Sequence, residues 1–285
     1  MKNQAAAKQP AKEEIIKPPS TALATTAPDY LSDYATEKPE GFEEVGAGDV
    51  KVPRLAVAQK GNPQVEEGNK DYISGLRPGQ FFNTTTGENY GKTVHIVPLL
   101  KFENRIRFGD MDKGGGILCR SDDMIHGVGD NPVNGDCQRC PYAKFGSARD
   151  GKGKGKACNE FKNFPALTVI DAKLKSDEPL VWSAKSSHIE AAQEVIGLAS
   201  RRRLADGKTR AAMWMCVFSL TTELKNWSQT ITSYIIKADN AGWVAGIDTP
   251  MAKSAFDFMH ELREQHRLIT DEVKAEEFPE PGSAG

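Results

Sequence analysis

The stretch Gly116–Phe161, GILCRSDDMIHGVGDNPVNGDCQRCPYAKFGSARDGKGKGKACNEF, holds four of the chain's five cysteines. They are spaced C-x17-C-x2-C-x17-C, as Cys119, Cys137, Cys140 and Cys158. A C-x2-C turn directs two thiolates at one tetrahedral ion, and the flanking cysteines complete a shell of four if their strands fold back over it. A closed shell leaves no position for an activated water, so the expected cofactor is one structural Zn2+ per chain. Asp122–Gln138 and Gly146–Lys156 are dominated by Gly, Asp, Asn, Ser and Lys and cannot build a core of their own. Metal would replace that core, contributing on the order of 10 kcal/mol. Free thiols, or His126 in place of one cysteine, are the competing readings. Cys216, flanked by Trp214, Met215, Val217 and Phe218, reads as a small buried hydrophobe.

The segments on either side of the cysteines read as mostly β. Order is expected from about Val52, where VPRLAVAQ alternates Leu55 and Val57, and further strands are expected at Thr93–Leu100, Glu103–Phe108, Ala166–Ala172, Leu180–Ser183, Ala212–Leu220 and Gln229–Lys237. Leu76–Gly91 reads as a turn, a short strand and a second turn. The last two strands, joined by TTELKNWS, read as a long hairpin. Two helices interrupt this pattern. Ser187 and Glu190 make a capping-box signature ahead of Ile189, Ala192, Val195, Ile196 and Ala199 at helical spacing, closing at Arg201-Arg202-Arg203. Thr249-Pro250 opens the second, with Ala255, Phe258, Met259 and Leu262 on one face through about Arg267.

At 285 residues with 39% apolar side chains the chain can bury a sizeable core. Its longest apolar runs, such as Ala211–Leu220, fall far short of the ~20 residues of a membrane span, and no apolar leader follows the N-terminal charges. A soluble, cytoplasmic protein of a reducing compartment, with no membrane partner, is expected.

The net charge of −2 hides a division along the chain. Residues 1–50 hold 5 Lys against 9 Asp/Glu, and residues 268–285 hold 1 Lys against 5. The intervening 51–267 hold 31 Lys/Arg against 25 Asp/Glu, with 7 basic and 2 acidic residues in Arg139–Lys162. A basic body with acidic ends fits a polyanion binder whose tail masks its own groove or docks a partner. Residues 1–50, rich in Ala, Lys, Pro, Thr and Glu, read as a disordered arm.

No catalytic motif survives inspection. GSARDGKG (Gly146–Gly153) matches the first seven positions of a phosphate-binding loop, but Gly153 stands where Ser or Thr must hold magnesium. His188-x-Glu190 follows the C-x2-C in the chain rather than preceding it, unlike a zinc deaminase. Asp110, Asp112, Asp122 and Asp123 sit in Gly-rich loops without a strand-end carboxylate to complete a nuclease site. The protein is expected not to be an enzyme.

Single-stranded nucleic acid is held by cations that follow its phosphates and by flat side chains on which its bases stack. KFENRIRFG supplies Lys101, Arg105, Arg107 and Phe108, with the two arginines on one strand face. Tyr142, Lys144, Phe145, Lys152, Lys154, Lys156, Phe161 and Lys162 crowd around the last cysteine. Each aromatic could equally belong to the core.

VPRL opening a β body, then GILCRSDD, CQRCPYAKFG, ACNEF and PLVWSAKSS ahead of a helix, together resemble phage-type single-stranded-DNA-binding proteins. In these a zinc ribbon is inserted into an OB-fold, similar to the C-terminal OB domain of the replication protein A large subunit. The resemblance spans about Val52–Lys237. It implies an OB-like β-barrel over 51–238 with a zinc ribbon at about 117–162, a C-terminal helix over 239–267 and an acidic disordered tail over 268–285. It also implies the four cysteines as zinc ligands, Arg105 and Arg107 lining a groove, and a role in coating DNA during replication or recombination. The tail would dock replication or recombination proteins, although Phe278 is followed by Pro279 and a neutral PGSAG, unlike bacterial tails that end in Phe. An adaptor acting mainly through protein partners is the alternative reading.

Overall fold

A computed structural model describes residues 53–109, 116–148, 154–227, 232–244, 250, 253–257 and 259–261. The expected arm (1–50), the acidic tail (268–285), the Asp110/Asp112 loop and Lys152 lie outside the described residues. Eleven strands form one sheet: β1 Arg54–Val57, β2 Phe81–Asn83, β3 Asn89–Gly91, β4 Thr93–Pro98, β5 Phe102–Phe108, β6 Ile117–Ser121, β7 Val128–Gly129, β8 Cys158–Ile170, β9 Lys173–Lys185, β10 Cys216–Asn226 and β11 Thr232–Trp243. The pairing path runs β11-β10-β4-β8-β9-β1-β2-β3, and β5, β6 and β7 branch from β8.

The sheet is mostly antiparallel, with β1 and β9 parallel. It curls, because β3 at one end of the path is separated from β4 only by Lys92. The expected closed OB barrel is corrected: among the described residues the pairing path ends at β3 and β11 without joining. A physical reason is the length of the β10–β11 hairpin. It is paired along Cys216–Asn226 and Thr232–Trp243 and extends the sheet along β4.

The core forms where the curl encloses Leu55, Phe81, Ile96, Phe164, Leu180, Trp182, Phe218 and Leu220. Phe164 and Trp182 are register partners whose rings stack at 5.0 Å and 24°. Helix α1, Ile189–Arg201, closes this core with Ala191, Ala192, Val195 and Ala199. Its small buried side chains let the helix approach β9 and β11. The expected capping box does not form. A 3-10 turn at Ser186–His188, entered at Ser186 with φ +48°, places His188 at the helix N-cap, with no side-chain cap bond.

A second apolar cluster joins Val97, Leu99, Leu167, Val217 and Val244 to Ala255 and Met259. The last two belong to helical residues within 253–261, where the second helix is expected. β11 runs to Trp243, past the expected boundary at 238. Among the described residues no helix is long and apolar enough to cross a membrane.

Candidate functional site

β5 lies between β6 and β8, and its register fixes the outer cysteines: Arg107 pairs with Cys119 on one side and with Cys158 on the other. Side chains of register partners share a face, so both thiols and the Arg107 guanidinium stand together. Cys137 and Cys140 come from the loop between β7 and β8. Its shape is set by Asp136, whose Oδ1 accepts the Gln138 and Arg139 amides at 2.9 and 3.2 Å. The Cys137 amide donates to the Ile125 carbonyl at 2.8 Å, and Cys140 caps the 3-10 turn Pro141–Ala143.

All four cysteines are buried and line one small cavity, together with Arg105, Arg107, Asp130, Asn131, Tyr142 and Ala143. Burial pushes the Cys158 thiol up to about 11, and the neighbouring Cys119, Cys137 and Cys140 add to the rise. Burial also raises Cys119, partly offset by Asn131, whose Nδ2 lies 3.8 Å from Cys119 Sγ. Gly127 packs close against two of the sulfurs. A Cβ there would lie 3.0 Å from Cys137 Sγ, 3.2 Å from Cys119 Sγ and 2.5 Å from Asn131 Nδ2.

Among the described residues no group of three or more His, Cys, Asp or Glu side chains stands at ligating distances. The donor chemistry nevertheless fits zinc: four soft sulfurs, all buried, line one cavity beside the Arg105 and Arg107 guanidiniums of β5. His126 turns away. Its ring is exposed and bonds Asp123 Oδ2 at 2.5 Å. Burial opposes ionisation of Asp123, but hydrogen bonds from the His126 amide and ring, the Ile125 amide and Ser121 outweigh it and hold the carboxyl well below the usual range.

Arg105 and Arg107 share a face, as the strand period requires, but that face is the cysteine side rather than an open groove. Arg107 is 11% exposed, stacks on Tyr142 at 4.2 Å, and donates to the Asp130 carbonyl and carboxylate at 2.5 Å. Arg105 donates to Glu160 at 2.8 Å and to the Cys137 carbonyl at 3.2 Å. Burying a guanidinium is tolerable only with such partners.

The neighbouring lysines are spent in the same way. Lys156 shares Glu160 with Arg105, and Lys101 and Lys162 share Glu103. Of the remaining candidates, Lys144 and Lys154 are exposed, and Phe145 is 80% exposed with the Lys156 ammonium 4.8 Å from its ring.

Phe108 and Phe161 occupy the opposite face of the same strands, edge to face at 6.5 Å. Lys185, the register partner of Phe161, holds its ammonium 5.6 Å from that ring. Beside them a polar row crosses four strands. Arg54 donates to Ser183 at 2.8 Å, Ser183 to Asn163 at 2.8 Å, and Asn163 to Asn104 at 2.9 Å. Neither this row nor Lys185 was flagged by composition. The alternation in PLVWSAKSS, with Trp182 and Ala184 inward, was the available signal for Ser183 and Lys185.

The family described as Pam3 phage gp34-like protein matches over residues 20–267. The chain belongs to this phage family. No curated protein and no solved structure matches it. The span shared with the Pam3 gp34-like family contains every described strand, all five cysteines and both faces of the β5–β8 ladder.

Proposed function

We propose that this phage protein binds single-stranded DNA without acting as an enzyme, in replication or recombination within the host cytoplasm. In this reading Cys119, Cys137, Cys140 and Cys158 hold one structural zinc, as a ribbon inserted in an OB-like body. Bound zinc would supply four sulfur bonds in place of an apolar core. Arg105 and Arg107 orient the cysteine loops by tying the Cys137 and Asp130 carbonyls to β5. Tyr142 lines the cavity and stacks on the Arg107 guanidinium.

The observation that carries the reading is a recurrent pairing of accessible aromatic faces with lysines. The pairs whose lysine has no carboxylate at ion-pair distance among the described residues are Phe161 with Lys185 at 5.6 Å and Trp227 with Lys225 at 4.3 Å. Such pairs supply both parts of sequence-tolerant single-strand binding, a stacking plane and a phosphate counter-charge. The tail over 268–285 would dock replication or recombination proteins.

The test is a titration of fluorescent oligo-dT against matched duplex at two salt concentrations, run beside a zinc assay. The expected result is preferential binding of oligo-dT that falls with log salt at about −0.7 per contacted phosphate, with about one zinc per chain. Absent or salt-independent binding overturns the reading. A protein-partner adaptor is the second reading. It is favoured by the exposed Ile117, Leu118, Ile125 and Val128 on and beside β6 and β7, and it predicts equal competition by duplex and single strand.

A further inference from the structure

We propose that single-stranded DNA crosses the outer face of β5, β8 and β9, with bases stacked on Phe161 and Phe108 and phosphates held by Lys185 and Arg54. The cations on the cysteine side of the same strands stay out of contact. This inference rests on the single-strand reading above and assigns it a surface.

The ladder has two faces with opposite electrostatics. On the cysteine side every cation of β5 and β8 is matched: Glu103 serves Lys101 and Lys162, Glu160 serves Arg105 and Lys156, and Asp130 serves Arg107. A phosphate arriving there would have to displace a carboxylate already in place. Burial raises the Glu103 carboxyl, but Lys162 and Lys101 outweigh it and keep it ionised.

On the outer face Lys185 and Arg54 are exposed, and neither has a carboxylate at ion-pair distance among the described residues. Asp122, beside β6, is already held by Arg120 at 2.7 Å. Over the strands themselves a polyanion is therefore attracted to the outer face and met by neutralised charge on the other, where the exposed Lys144 and Lys154 belong to the loops rather than to the ladder.

The same face carries the rings. Phe108 is 45% exposed, and Phe161 is half-buried against it, with Ile106 between their strand positions. Two rings set edge to face present planes in different directions, so successive bases can each find one. The polar row stiffens the surface without reading sequence. Asn163 is buried, with its oxygen taken by Ser183 and its amide nitrogen by Asn104, so it has little left to offer a base edge. From Arg54 on β1 to Asn104 on β5 the track crosses three strand spacings, about 14 Å.

The experiment uses the full chain and fluorescent oligo-dT, with ultraviolet crosslinking and peptide mapping in parallel. Phe161→Leu keeps the apolar volume and removes the stacking plane, and is expected to weaken binding roughly tenfold. Lys185→Glu, an exposed change that leaves folding intact, is expected to weaken binding at low salt and to flatten the salt slope by about 0.7, one phosphate contact. Crosslinks are expected at Phe108 or Phe161. Wild-type affinity in both variants, or crosslinks confined to Phe145, Tyr142 or Trp227, overturns the assigned face while leaving single-strand binding standing. Failure of the unmodified protein to bind oligo-dT removes the underlying reading as well.

Discussion

Cys119 and Cys158 flank a single residue, each the register partner of Arg107 on the strand between them. The first and last cysteines of the segment are thus fixed by the β5 ladder, and the C-x2-C loop has only to fold over a position already defined. The arginine between them is tied to that loop through Asp130 and Tyr142. Ladder, guanidinium and sulfurs form one unit.

Replacing one sulfur tests the metal directly. Cys137→Ser is expected to reduce bound zinc from about one per chain to near none and to loosen residues 117–162, while the Phe164–Trp182 core stays folded. Metal analysis and amide exchange read the two effects. Unchanged zinc content would rule out the assignment.

Arg107→Ala removes two charge-assisted hydrogen bonds and the Tyr142 stack. It is expected to cost about 2 kcal/mol in urea unfolding of the zinc-loaded protein. Arg107→Lys should recover only part of this, because an ammonium cannot reproduce the planar fork. Equal stability of all three proteins would show that the guanidinium is idle.

Acid should loosen the cysteine segment. Glu103 and Glu160 have folded pKa values below their ordinary one, so their contribution is complete above the unfolded value of about 4.3 and is lost as pH falls through the depressed folded values. Glu160→Gln cannot titrate, and its melting temperature should fall less steeply than wild type below about pH 4. Parallel pH profiles would contradict the coupling.

Deleting residues 268–285, which carry 1 Lys and 5 Asp/Glu, is expected to tighten oligo-dT binding severalfold at low salt. The gain should disappear as salt screens the tail. Identical affinities with and without the tail at low salt would exclude self-masking.

Much of the fold was legible because its strands alternate in the ordinary way. β4 and β5 fall where Thr93–Leu100 and Glu103–Phe108 are expected, and α1 ends at Arg201 as its arginine run indicates. β8 was half hidden. Its first residues, CNEFKN, are polar on both faces, since one face pairs Glu160 and Lys162 with β5 charges and the other carries Asn159 and Asn163. Periodicity detects burial of apolar groups and does not register a ladder held by ions and amides. β10 likewise continues through Thr221–Asn226, read from composition as a turn.

For the site, spacing brought the four cysteines together on paper, and they line one cavity. The direction of the arginines was not legible. Period 2 places Arg105 and Arg107 on one side, but which side is decided by the partners Cys119, Cys158 and Glu160, which lie far away in sequence. Lys185 and Ser183 were missed for the same reason, since their place beside Phe161 and Asn163 exists only through the β8–β9 register.

β8 runs unbroken from Cys158 to Ile170, against β5 in its first half and against β4 in its second. The cysteine segment is thereby a cantilever whose beam is continuous with the core. Tension on it travels along the beam to the Phe164–Trp182 stack. Fraying that starts at Cys158 has to cross the Asn163 amide row before it reaches that stack, so the cysteine segment is expected to come loose before the core does.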